Sequence, residues 1–183
     1  MYRRWLIVFA TTLLLWSLVN QINHYLAPLS VSLSIGGLLV AFAALRLNLR
    51  NGLTATILIA LAVDALAPVP EVGHHLFHGP HLLLFTTVHV LIFHLRTRFP
   101  REEMLFGLGT ALVANLALFL GLSFIYVGLD SRPESAVTSL RLLADLGWSQ
   151  LFILAVAPWF FALQLRALAL GRVDLEDESH RFY

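Results

Sequence analysis

Asp64 is the residue whose type and position most demand an explanation. It lies in the apolar run from about Gly52 to Ala67, four residues after Ala60 and four before Pro68. A carboxylate in such a run is costly unless it has a partner or a water pocket. Three roles are open to it: bonding exposed donors at a helix–loop junction, standing on a substrate or proton path, or meeting a partner protein. His89 and the histidines of the following loop are its candidate internal partners.

That loop reads Pro68-Val69-Pro70-Glu71-Val72-Gly73-His74-His75-Leu76-Phe77-His78-Gly79-Pro80-His81. His74, His78 and His81 share one face of a helical turn, which is legitimate spacing for a metal site, and Glu71 could add an oxygen. Against this, Gly79-Pro80 is expected to break the turn, and no water-activating acid sits between the ligands as in a helical zinc-protease motif. Solvated or interfacial histidines are the simpler reading, and a pH-responsive loop is a further one. His89 and His94 lie five apart on the next helix, a spacing that does not ligate one haem. Cysteine is absent, which removes disulfides and thiolate metal sites. There is no Gly-rich phosphate loop, no convincing Ser–His–Asp set and no carboxylate pair within an apolar run. The expectation is therefore no cofactor and no enzyme activity.

The elements that hold these residues follow from composition. The chain has 183 residues, 58% hydrophobic and 13% charged, against about 25% charged in soluble domains. Lipid explains the shortfall. Net charge is +1 with no basic stripe, so no nucleic-acid partner is expected. Six apolar segments are marked by polar boundaries: Trp5 to about Asn20, Leu29 to Leu45, Gly52 to Ala67, His81 to Leu95, Met104 to Leu129, and Leu146 to Leu165. Each approaches the roughly 20 residues of a crossing. The third and fourth are short, and a re-entrant hairpin competes with two full crossings there. The first segment resembles a signal peptide, but no small-residue cleavage site follows, so a retained helix is expected.

Arginine placement sets the direction. With the N-terminus inside, Arg3, Arg4, Arg46, Arg50, Arg96, Arg98, Arg101, Arg166, Arg172 and Arg181 fall on the cytoplasmic side, and only Arg132 and Arg141 fall outside. The positive-inside rule then predicts both ends in the cytoplasm and an even number of spans. Backbone groups in lipid must bond within their own segment, which favours helices. The predicted fold class is all-α: a polytopic six-helix transmembrane bundle, N-in and C-in. It forms a single domain over 1–170 with a short cytoplasmic tail over 171–183.

Small residues mark helix contacts. Ser30, Ser32, Ser34, Gly36, Gly37 and Ala41 form one stripe; Gly107, Ala111 and Asn115 form another. They serve internal packing or a partner's helix. Asp130-Ser131-Arg132-Pro133-Glu134 reads as a helix start. Ala136, Leu140 and Leu143 then oppose Ser135, Thr138 and Arg141, which predicts a short amphipathic helix on the outer face. Pro158 interrupts the sixth segment.

The stretch from Gly52 to Arg98 resembles the MreD family, the small membrane subunit of the bacterial rod-shape (elongation) complex. The resemblance rests on Gly52-Leu53, the run to Ala62-Val63-Asp64-Ala65-Leu66, Pro68/Pro70, Gly73, and an apolar helix closed by arginines. It covers about a quarter of the chain by motif and the rest by hydropathy. The histidine-rich, lengthened turn and Ala65 after the aspartate depart from the family pattern. The resemblance implies a scaffold subunit in the bacterial inner membrane that binds an MreC-like protein. RodA and a penicillin-binding transpeptidase would lie nearby, with MreB filaments on the cytoplasmic side. Asp64, Pro70 and Gly73 are the positions carried over. The alternative is the substrate-binding subunit of an energy-coupling-factor vitamin transporter, which would need an outward cavity with converging polar groups. A membrane enzyme built on the histidine loop is a third reading.

Overall fold

The computed structural model describes residues 3–66, 79–96, 104–129 and 136–171. These are helical almost throughout: α1 (Arg3–Leu26), α2 (Gly36–Arg46), α3 (Leu49–Leu66), α4 (Pro80–Leu95), α5 (Met104–Leu129) and α6 (Ala136–Leu170), with a 3₁₀ turn at Ala27–Leu29. Four helical stretches are long and apolar enough to cross a membrane: Arg3–Leu29, Leu49–Leu66, Met104–Ile125 and Arg141–Leu170. Their outward sides carry large apolar residues such as Leu14, Leu105, Phe124 and Trp159. A chain that leaves so much of this surface uncovered is built for an apolar surround.

Contacts fix the directions of the helices. Ile7 meets Gly171 and Gln164 meets Thr12, so α1 and α6 run antiparallel. Gly107 meets Phe161, and Phe42 packs on Phe160 and Phe161. Arg96 at the end of α4 reaches the end of α2. One end of the bundle therefore gathers Arg3, Arg4, Arg46, Arg50, Arg96 and Arg166, and Arg141 lies towards the other.

The second apolar segment departs from expectation. A helix over Leu29 to Leu45 is predicted; instead residues 31–35 form neither helix nor strand and α2 begins only at Gly36. The cause is local: Val31-Ser32-Leu33-Ser34-Ile35 alternates polar and apolar residues with period two, the pattern of a strand. Leu33 and Ile35 are buried and Ser32 is exposed, as that alternation requires. Ser30 closes the 3₁₀ turn at φ 55°, a left-handed conformation that costs a non-glycine residue roughly 1–2 kcal/mol. An 11-residue helix rises about 16 Å, about half of the roughly 30 Å of a hydrocarbon core, so α2 by itself is too short to cross one. α2 is the centre of the bundle, with Leu38 through Ala44 almost wholly enclosed.

The sixth segment also differs. α6 has 35 residues and takes in the stretch from Ala136 that was expected to form a separate amphipathic helix. No helix breaker stands between Ala136 and Trp148 except Gly147, around which there is open space, so the helix continues. It also continues through Pro158. At about 52 Å, α6 is longer than a membrane core is thick.

Candidate functional site

At the end opposite the arginine cluster, α3 and α4 meet through Asp64. Its Oδ1 lies 2.6 Å from His81 Nδ1, within hydrogen-bond distance. The backbone N–H of His81 donates to Oδ1 at 3.3 Å and that of Leu82 to Oδ2 at 3.2 Å. These are among the first N–H groups of α4, which no carbonyl of their own helix can reach. Gly79, the residue before the helix, has φ 113° and makes no side-chain cap of its own. Asp64 thus supplies the missing N-terminal cap from a neighbouring helix, and its charge faces the positive end of the α4 dipole. The carboxylate and the imidazole are both largely enclosed. Of the residues singled out in the sequence, Asp64 and His81 come together here. Pro70, Gly73, His74 and His78 lie outside the described residues. Among the described residues no group of three or more His, Asp or Glu side chains converges as a metal site would require.

A second polar cluster surrounds the non-helical stretch 31–35. Asn23 of α1 bonds Leu33 on both sides: Leu33 N–H donates to Asn23 Oδ1 at 2.8 Å, and Asn23 Nδ2 donates to Leu33 O at 2.9 Å. From the other side α6 takes the flanking residues. Ser32 N–H donates to Asp145 Oδ1 and Ser34 N–H to Ser149 Oγ, both at 2.9 Å. Ser149 Oγ in turn donates to Asp145 O at 2.6 Å within its own helix. Non-helical backbone in an apolar bundle must be satisfied by something, and here the side chains of Asn23, Asp145 and Ser149 bond it. This clamp is absent from the sequence-based expectations. The period-two alternation at 31–35 and the polar pair Asp145/Ser149, one helical turn apart, were the available signals.

Deeper in the bundle, the fully buried His89 shares a 2.8 Å hydrogen bond with Thr56 Oγ1 through Nδ1. Gly52 makes room for its ring: a Cβ there would lie 2.9 Å from His89 Cε1. His94 is exposed and bonds the Val90 carbonyl of its own helix, so the two helical histidines do not act together. The small-residue stripes are used inside the molecule. Gly36 and Gly37 of α2 meet Asn115 and Leu118 of α5, and Ala41, Ala111 and Asn115 are all enclosed. Gly37, Ala41, Ala111 and Asn115 are therefore taken up by internal packing, while Ser30 and Ser32 of the first stripe are exposed.

At the arginine-rich end, Arg96 Nη1 donates to Leu47 O at 2.6 Å, Ala44 O at 2.7 Å and Leu45 O at 3.4 Å. It tethers the carbonyl-bearing end of α2 to α4. Comparison with protein-family models, curated proteins and solved structures finds no match for this chain.

Proposed function

We propose that this protein is a non-enzymatic scaffold or assembly subunit of the bacterial cell-wall elongation machinery, set in the inner membrane and binding an MreC-like partner. The observation that carries this reading is how the inward polar side chains are used. Asp64, Asn23, Asp145, Ser149 and Arg96 all bond the backbone of this same chain. They hold a fixed shape, as a docking unit requires. The resemblance of Gly52–Arg98 to MreD supplies the identity of the complex, and Asp64 gives the carried-over position a concrete task in fixing the α3–α4 junction. On this reading the arginine-rich end faces the cytoplasm. The test is cross-linking in native membranes followed by purification through a tag on this chain. Recovery of an MreC-like protein supports the proposal. Absence of any such association, with normal rod growth after deletion, overturns it.

One observation favours the transporter-subunit alternative: Asn23, Asp145 and Ser149 converge away from the arginine-rich end, where an outward ligand site would stand. In that reading they would release residues 32–34 to engage a ligand. Purified protein that retains a vitamin-sized molecule through chromatography would select it.

A further inference from the structure

At the arginine-rich end, α1 and α6 border a groove of about 410 Å³ lined by Arg3, Leu6, Ile7, Leu170 and Gly171. The volume lies in the range of small-ligand sites, about 300–1,000 Å³. Its chemistry is divided. Leu6, Ile7 and Leu170 are apolar, and Leu6 and Leu170 are exposed along it. Among the described residues, Arg3 is the one charged side chain in the lining. The two helices are joined further along by Gln164, which donates to Thr12 Oγ1 and receives a bond from Thr11 Oγ1. Gly171 closes the groove against Ile7, where a larger residue would collide with the isoleucine tip.

An apolar channel beside a membrane-spanning helix, with a guanidinium at its end, matches a molecule that has an acyl chain and an anionic head. We propose that this groove binds one anionic phospholipid, with its phosphate at Arg3 and an acyl chain along Leu6, Ile7 and Leu170. Arginine suits the role because its fork pairs two phosphate oxygens at once and remains charged at any physiological pH. Basic pockets between transmembrane helices hold anionic head groups by this combination of charge and apolar wall. The site is independent of the scaffold reading, since neither the partner nor the Asp64 junction contributes to it.

The test is native mass spectrometry of the full chain released from detergent after incubation with phosphatidylglycerol or with phosphatidylcholine of the same acyl chains. One bound phosphatidylglycerol is expected in preference to phosphatidylcholine. Arg3→Gln is expected to weaken that preference about fivefold, the worth of one basic residue at a membrane surface. Arg3→Lys should restore most of it, and Arg50→Gln, at the same end but outside the groove, should leave it unchanged. Equal retention of the two lipids by the unmodified chain overturns the site. So does an equal loss in Arg3→Gln and Arg50→Gln, which would mean that only diffuse charge attracts lipid. Displacement of the lipid by millimolar inorganic phosphate would also overturn it, because the acyl chain would then contribute nothing.

Discussion

Gly37 of α2 and Asn115 of α5 meet backbone to backbone, with Gly37 N–H donating to Asn115 Oδ1 at 3.3 Å. A Cβ at position 37 would overlap the Asn115 main chain, which has no free end to swing away. Helices in lipid associate through such close approaches because apolar burial alone gives them little advantage. Both residues are enclosed at the middle of the bundle, where α2 starts and the non-helical stretch ends.

Gly37→Ala is therefore expected to destabilise the protein by about 1–3 kcal/mol, the usual cost of overpacking. Gly109→Ala is the contrasting case, since nothing lies within 4 Å of a Cβ there. It removes a flexible residue from a helix and should be neutral or stabilising by up to about 1 kcal/mol. Thermal unfolding of the two variants in the same detergent checks the contrast. Equal effects would mean that α2 and α5 do not meet at Gly37.

The α3–α4 junction separates capping from charge. Asp64→Ala removes the acceptors for His81 N–H, Leu82 N–H and the His81 ring, and a loss of about 1–2 kcal/mol is expected from the missing cap. Asp64→Asn keeps one acceptor oxygen and should lose less. Gly79→Ala strains a residue held at φ 113° and should cost about 1–2 kcal/mol. Denaturant unfolding monitored by tryptophan fluorescence gives all three. If Asp64→Ala is as stable as the parent, the cap contributes nothing.

The clamp on residues 31–35 predicts local rather than global change. Asn23→Leu should free the Leu33 amide, and Ser149→Ala should free the Ser34 amide. Each costs about 1 kcal/mol for a lost hydrogen bond, with more if the backbone stays buried. Hydrogen–deuterium exchange should rise at residues 32–34 and remain unchanged in α3 and α4. The two substitutions act on one strap from opposite sides, so the double variant should depart from additivity. Simple additivity, with no exchange at 32–34, would contradict the clamp.

The limits of the sequence reading are visible in these same residues. Apolar run length located the six helices of the described residues, four of them long and apolar enough to cross a membrane; α5 falls on Met104–Leu129 as expected, while the starts of α2 and α6 do not fall where the runs begin. Asp64 drew notice because a lone carboxylate in an apolar run is costly, and its histidine partner is seventeen residues away, within reach of a local search. Asn23, Asp145 and Ser149 did not stand out. Asn23 lies near the end of α1 and Asp145 and Ser149 lie well inside α6, and they acquire meaning only when residues 32–34 meet α6 across more than a hundred residues of chain. Residues 31–35 read as helix by apolar content alone, and their period-two alternation is the signal against it.

Arg96 joins α4 to the end of α2 through its guanidinium. Its Nη1 meets the carbonyls of Ala44, Leu45 and Leu47, which the end of α2 leaves without intrahelical donors. Its guanidinium carbon sits 3.8 Å from the centre of the Phe93 ring, a cation–π contact within α4. Arg96→Ala leaves buried carbonyls unmatched, and a loss of about 1.5–3 kcal/mol is expected for hydrogen bonds to a charged group. Arg96→Lys keeps the charge but not the planar stack on Phe93, so it should fall between the alanine variant and the parent. Phe93→Leu should cost less than either, since it removes the ring and leaves the carbonyl bonds in place. That order, read from unfolding midpoints in one detergent, distinguishes a tether from a charge that merely marks the membrane surface. If Arg96→Lys matches the parent, position 96 needs only a positive charge; if Phe93→Leu equals Arg96→Ala, the stack and not the tether holds α2 to α4.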